Sequence, residues 1–197
     1  LEAVKCLEDA WGDATNASDL TQAELLEVHR ASGLVQRRLD GVHAEIAVSI
    51  ARESRPELGA AGLAKQQGFR SPATMIAATT GGSTGDAVRL VKVGEATAPR
   101  ANLIGEPLPP RYPEVQRAIG AGVLGAASAA LIVTLLDRAR LKVGVDRLVE
   151  AERLLVERAE GLSLDDVRKL VVHAEAWLDP DGVAPRDLVG RRRDRAA

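Results

Sequence analysis

The sequence contains very few aromatic residues. Phe, Tyr and Trp make up 2% of its 197 residues, and Phe69 and Tyr112 are the single members of their types. A hydrophobic core must therefore be built from Leu, Val, Ile and Ala. This composition favours helices over a β-sandwich, which usually needs more aromatic and Thr residues. With 46% hydrophobic residues, the chain can form one large or two small domains with a real core.

Cysteine and long apolar runs are also scarce. Cys6 is the only cysteine, which excludes an internal disulfide and indicates a reducing, cytoplasmic setting. The longest apolar stretch, Ala126 to Leu136, is far shorter than the roughly 18 residues of a membrane span. No signal peptide is visible. Because the chain starts at Leu1 and ends in a basic run, we expect it to be part of a longer protein.

The charge is small overall but unevenly distributed. A net charge of −2 argues against a general polyanion binder. Residues 1–60 carry 6 basic and 11 acidic side chains, residues 61–120 carry 7 and 4, and residues 121–197 carry 13 of each. If any part of the chain contacts a phosphate backbone, the middle part is therefore the candidate.

Caps and helix breakers along the chain predict an all-α, multi-helix bundle with one long N-terminal helix. Thr21 and Glu24 have the spacing of a capping box, which starts a helix over about 22–54. The helix at 126–140 is apolar nearly all round, so we expect it at the buried centre. Asp179-Pro180-Asp181-Gly182 predicts a tight turn. The other predicted segments are helices at 1–10, 57–67, 72–80, 84–95, 113–119, 145–160 and 164–177, and a linker or irregular loop at 97–113.

The long helix carries an apolar seam at steps of three and four residues. This seam must be buried against other helices or against a second copy of the chain, which makes a homo-oligomer through residues 22–54 a hypothesis. His29 and His43 are fourteen residues apart, so they are interpreted as ordinary helix residues and not as metal ligands. The seam residues are Leu25, Val28, Ser32, Val35, Leu39, Val42 and Ile46.

No catalytic, metal or cofactor site is predicted in this segment. The Gly81–Gly85 stretch lacks the lysine of a phosphate-binding loop and follows no strand, so it is interpreted as a helix–helix turn. Ser128 lacks the second glycine of a nucleophile elbow and lies in a helical context. The histidines lie far apart, and no base, nucleophile and oxyanion donor occur together.

Residues 71–95 resemble a helix-turn-helix unit. Ala77 is the small residue at which a second helix could cross the first, and Gly81 follows four positions later in the turn. The second helix is expected to turn Ala87, Val88, Leu90 and Val91 inward. It is expected to turn Ser83, Thr84, Asp86, Arg89 and Lys92 outward, with Arg89 and Lys92 on one face.

This pattern makes Ser83, Thr84, Arg89 and Lys92 candidate DNA-binding residues, with Arg100 as a further cation of the same segment. Hydroxyl groups near a helix N-terminus can hold phosphates, and an Arg can bind the edge of a guanine with two hydrogen bonds. The alternative is that two core helices simply present a solvated, charged face.

The chain resembles the domain of unknown function 222, the N-terminal region of the 13E12 repeat proteins of actinobacteria. The resemblance covers about residues 20–183. It rests on Thr21–Leu26, Arg37-Arg38-Leu39-Asp40, Ala118–Leu124 and Leu178–Gly182. Proteins of this kind usually end in an HNH endonuclease module, so the resemblance implies a parent nuclease that cuts DNA with a metal-activated water. His29, His43 and His173 match no HNH motif and inherit no catalytic role.

The middle of the chain is distantly similar to the DNA-binding part of ParB-type partition proteins. The helix at 83–95, Leu108-Pro109 and the turn at 118–124 occur in the order found there. Gly85 and Gly94 depart from the Ala-rich, Arg-rich second helix that is common in the domain of unknown function 222. We expect these two glycines to weaken the helix.

These observations divide the chain into three parts: a short helix and loop at 1–20, a helical domain at 21–183, and a basic tail at 184–197. The tail is expected to lead to a C-terminal HNH-type module outside this sequence, and a divalent metal is expected only in that module. The leading hypothesis is a non-catalytic, cytoplasmic segment that targets DNA and does not contact a membrane. The alternative is a scaffold for self-association or regulation that makes no direct contact with DNA.

Overall fold

The computed structural model describes residues 2–102 and 104–178, and these parts are predominantly α-helical. The predicted all-α, multi-helix fold is confirmed. The predicted turn at Asp179–Gly182 and the basic tail at 184–197 lie outside the described residues. The helices are α1 (Glu2–Trp11), α2 (Gln22–Arg52), α3 (Leu63–Gln66), α4 (Pro72–Thr80), α5 (Thr84–Thr97), α6 (Pro113–Ala121), α7 (Ala126–Ala139), α8 (Val145–Ala159) and α9 (Leu164–Leu178).

Local capping explains where the long helix starts. The backbone N–H of Glu24 donates to the Thr21 hydroxyl at 3.3 Å, and the Glu24 carboxylate accepts from the Thr21 backbone N–H at 2.8 Å. This exchange pairs two of the amide groups that a helix N-terminus leaves without partners. The expected helix at 57–67 is instead interrupted. It splits into a 3-10 segment, Pro56–Ala61, and α3, because Gly59 has a φ of 52° that no α-helix accommodates.

The segment expected to be an irregular loop contains a short antiparallel ribbon. Strand β1 (Arg100–Ala101) pairs with β2 (Pro107–Leu108). The Asn102 side-chain oxygen accepts from the backbone N–H groups of Ile104 and Glu106 at 3.1 and 2.9 Å, which closes the turn. Strands of two residues are too short to produce an apolar alternation in the sequence, so no pattern predicted them.

Helix α7 lies at the centre of the core, as its apolar sequence predicted. It packs against α5, α8 and α9. Close packing around a helix requires apolar residues on nearly every side, which α7 supplies. Its buried residues are Ala126, Ala129, Ala130, Ile132, Val133, Leu135, Leu136 and Ala139.

Helix α2 buries a different face from the predicted seam. Ala44, Ala47 and Val48 are at most 2% exposed and face the core, where small side chains let α5 approach closely. Of the seam, Val28 is buried, but Leu25, Leu39, Val42 and Ile46 are 43–51% exposed. The sequence left two possibilities for the seam: burial against other helices or burial against a second copy of the chain. Burial of the whole seam against the other helices of the described chain is wrong.

Two helices without local side-chain caps receive a carboxylate from a distant helix. Glu152 of α8, only 3% exposed, accepts from the backbone N–H groups of Glu114 and Val115 at 2.7 and 3.0 Å and so caps α6. Burial raises the pKa of the Glu152 carboxyl, and the two backbone hydrogen bonds partly oppose this rise. Similarly, Asp40 of α2 accepts from the Ala126 N–H at 2.8 Å at the start of α7.

In the described parts of the chain, no helix combines the length and the apolar character that crossing a membrane requires.

Candidate nucleic-acid interface

Helices α4 and α5 and their turn form as the helix-turn-helix hypothesis requires. Ser71 caps α4, with Pro72 at the first helical position, and α4 ends at Gly81. Gly81 has a φ of 71°, a left-handed conformation in which glycine avoids the strain of a side chain. Ser83 then caps α5: the Asp86 backbone N–H donates to the Ser83 hydroxyl at 3.0 Å. The sequence therefore places two packed helices around a tight turn.

The inward face of α5 agrees with the prediction except at one residue. Ala87 and Leu90 are buried, and Val91 is partly buried against the core. Val88, which was expected to face inward, is 54% exposed. The reason is helical geometry, since one residue beyond Ala87 is rotated by about 100° away from it. Val88 therefore belongs to the exposed surface of α5.

Gly94 has a packing role in addition to its low helix propensity. A Cβ atom at Gly94 would lie 2.2 Å from the Ala44 carbonyl oxygen and 2.8 Å from the Val48 Cβ. A side chain at Gly94 would collide with the backbone of α2. The two helices can therefore pack together in this way only because Gly94 has no side chain. Gly94 therefore does not merely weaken α5; it fixes the position of α5 on the long helix.

The first turns of α5 form an exposed polar surface. Thr84 is exposed, and so is Ser83, whose hydroxyl donates to the Asp86 carboxylate at 2.6 Å. Asp86 also pairs with Arg89, and both side chains remain about half exposed. The hydrogen bonds from Ser83 and then from Arg89 lower the pKa of Asp86 to about 2. Asp86 is therefore ionised at neutral pH and partly neutralises the positive charge that Arg89 would offer to a phosphate.

Lys92 departs from the expected arrangement. It is half-buried, and its ammonium donates to the Thr134 hydroxyl of α7 at 2.8 Å. The ammonium thus points towards α7, whereas Arg89, three residues earlier, pairs with Asp86 on α5 itself. The expectation that Lys92 points outward beside Arg89 is wrong, because α7 offers a hydrogen-bond acceptor that the sequence pattern of α5 could not reveal.

Arg100 lies on the ribbon that follows α5. Its Nε donates to the carbonyl of Pro109, the residue directly after β2, at 2.9 Å, while the side chain remains exposed. The described contacts do not join Arg100 to the residues at the start of α5. Arg100 is therefore a cation at the flank of the pair, on a different element from Ser83 and Thr84.

Two exposed cations near α4 were not among the predicted site residues. Lys65 lies on α3, which packs against α4, and Arg70 directly precedes the Ser71 cap. The basic excess of the middle segment was the signal that could have identified them. Residues 61–102 carry five basic and two acidic side chains, whereas α5 alone carries two of each. The net positive charge of this segment therefore comes from residues outside α5.

Two segments on which the family resemblance rests contact each other away from this surface. The Arg37 Nε donates to the Gly122 carbonyl at 2.6 Å, and Asp40 caps α7 three residues further along α2. Gly122 has a φ of 73°, and a Cβ atom there would lie 2.9 Å from Leu34. These residues join the long helix to the turn between α6 and α7. Their role is structural, since they hold helix ends in place.

No cluster of three or more His, Cys, Asp and Glu side chains in residues 2–102 and 104–178 has the arrangement of a metal site. The model of the domain of unknown function DUF222 matches residues 26–197, so the chain belongs to this family. No curated protein and no solved structure matches the chain significantly.

Proposed function

We propose that the chain is a non-catalytic, DNA-binding helical segment in which α4 and α5 form a helix-turn-helix. The observation that carries this proposal is the exposed start of α5. Helix α4 packs against α5 and is joined to it by the turn at the left-handed Gly81. A supported helix with an exposed N-terminal part is the element that such proteins place in the major groove. Thr84 and Arg89 are its contact residues, and Lys65, Arg70 and Arg100 are flanking cations for the phosphate backbone.

The wider proposal is that this segment targets the catalytic module of an HNH-type endonuclease in the cytoplasm. It rests on the family membership together with what the resemblance implies. The divalent metal of such a nuclease would be held by the catalytic module and not by the residues of this chain. The coding sequence downstream of residue 197 tests this proposal directly. An HNH motif there supports it, and a different domain there contradicts it.

Replacing Arg89 by Ala tests the role of α5 in DNA binding. Arg168→Ala is a matched control, because Arg168 also pairs with an aspartate three residues earlier and is similarly exposed, on α9. We expect Arg89→Ala to weaken binding of a duplex and to reduce the slope of log K against log salt by about 1, since one phosphate contact is lost. Fluorescence anisotropy over a salt series measures both. Equal behaviour of the two variants removes α5 from the interface.

The alternative, a scaffold without direct DNA contact, is favoured by the exposed apolar residues of α2. A scaffold would self-associate or bind a protein partner, while its binding to duplex DNA would be weak and equally unaffected by Arg89→Ala and Arg168→Ala. The same anisotropy series therefore separates the two proposals.

A further inference from the structure

The outward side of α2 carries apolar side chains that the described chain leaves uncovered. Leu39, Val42 and Ile46 are 43%, 51% and 50% exposed. They follow one another at steps of three and four residues, so they form one stripe on the helix surface. Ala44 and Ala47 face the core from the opposite side of α2. We call Leu39, Val42 and Ile46 the α2 stripe.

A pair of opposite charges lies along one edge of this stripe. Arg38 and Glu45 are both exposed, and their seven-residue spacing puts them on the same side of α2, two turns apart. Beside this edge is an open groove of about 810 Å³, which leaves room for another helix to approach. Leu39 and Val42 of the stripe form part of its wall, the start of α1 borders it at Glu2, Ala3 and Val4, and Gly94, Thr97 and Gln116 line it from the other helices.

We propose that the α2 stripe binds the α2 stripe of a second copy of this chain in an antiparallel, two-fold arrangement. With the axis near the middle of the stripe, Leu39 packs on Val42 of the second copy. Arg38 then faces Glu45 of the second copy, and the two-fold axis forms this ion pair twice. Opposite charges at such flanking positions select helix orientation and partner. A parallel pair would instead bring Arg38 towards His43, whose imidazole carries no negative charge for Arg38 to pair with.

The first half of α2 limits how the two copies meet. Helix α1 packs on α2, and Val28 on the same side of α2 as the stripe is buried. A second α2 must therefore cross at an angle, as packed helices commonly do, and contact mainly the second half. Three half-exposed aliphatic side chains per copy cover less than the roughly 800 Å² per partner of a stable interface. The dimer is therefore weak, with a dissociation constant on the order of 10–100 µM.

Sedimentation equilibrium of the whole chain, without DNA, tests the pairing. We expect a concentration-dependent monomer–dimer equilibrium that Val42→Glu weakens at least tenfold, because the substitution places two carboxylates at the two-fold axis. Val149→Glu is the control, since Val149 is 58% exposed on α8 and outside the stripe. A chain that stays monomeric at about 1 mM, roughly ten times the upper end of the expected range, overturns the proposal. Equal effects of the two variants overturn it as well.

A charge exchange tests the orientation. Arg38→Glu and Glu45→Arg should each be monomeric alone, because like charges then meet at both flanking contacts. An equimolar mixture of the two variants should form a heterodimer, since each carries the charges that the other lacks. Thermal unfolding of each variant shows whether the monomers are folded. Folded variants that fail to associate when mixed overturn the antiparallel arrangement. Because no DNA is present and α5 is unchanged, these results do not depend on the DNA-binding proposal.

Discussion

Single buried residues determine how the helices of this protein join. Glu152 is a carboxylate that would cost free energy in an apolar core if it lacked partners, but it receives two backbone hydrogen bonds at the start of α6. Tyr112 immediately precedes that helix, and its hydroxyl donates to Asp137 at 2.9 Å. Sequence alone shows Glu152 as one more charged residue on an amphipathic helix. Its partners lie 37 and 38 residues away, so only the fold reveals its role.

Glu152→Gln should change how stability depends on pH. The Gln oxygen can accept the same two hydrogen bonds, but it does not titrate. Because burial raises the pKa of Glu152 above its usual 4.5, the folded state binds the proton more tightly than the unfolded state. The wild type should therefore lose stability relative to Glu152→Gln as the pH rises above about 4.5, the pKa of the unfolded state.

Urea unfolding at several pH values measures this difference. Glu152→Ala is the control for the cap, since it leaves two buried amide groups unpaired and should cost about 1–3 kcal/mol at every pH. Parallel pH profiles of the wild type and Glu152→Gln would show that the carboxyl titrates normally in the folded protein.

At the scale of elements, the sequence predicted most helices but not the faces that they bury. Capping residues such as Thr21, Ser71 and Ser83 are local signals, and each one marks the start of a helix in the structure. The buried face of α2 was predicted wrongly because large aliphatic residues are the usual sign of a buried face. In the structure, Ala44 and Ala47 face the core instead. The close contact with α5 selects small residues there, and no local pattern reports which helix will approach.

Gly94 and Gly85 on the same helix should respond oppositely to Ala. Gly94→Ala forces a methyl group against the backbone of α2 and should destabilise the protein by about 1–3 kcal/mol or more. Gly85→Ala meets only the Ser83 hydroxyl, at the ordinary contact distance of 3.6 Å, and should stabilise α5 by up to about 1 kcal/mol. Chemical denaturation measures both changes. A neutral Gly94→Ala would contradict the close packing of α2 and α5.

At the scale of the whole molecule, the candidate site was only partly predictable. The sequence located α4, the turn and the exposed start of α5, because glycine and capping residues are local signals. It could not show that Lys92 turns to Thr134 on α7, a partner 42 residues away. The pairing of Asp86 with Arg89, by contrast, agrees with their three-residue spacing on one helix. The proposed α2 pairing adds a second surface, on a different helix from α5, so one protein could self-associate and bind DNA at once.

The central proposal is that duplex DNA binds at the start of α5. The affinity of the Asp86→Asn variant for duplex DNA tests it most directly. Removing this carboxylate frees Arg89 and removes a repulsive charge, so the variant should bind DNA more tightly than the wild type. Asp166→Asn is the control, because Asp166 makes the same contacts with a capping serine and a nearby cation on α9. Tighter binding by Asp86→Asn alone is the predicted result. Equal affinities of both variants and the wild type would contradict the claim.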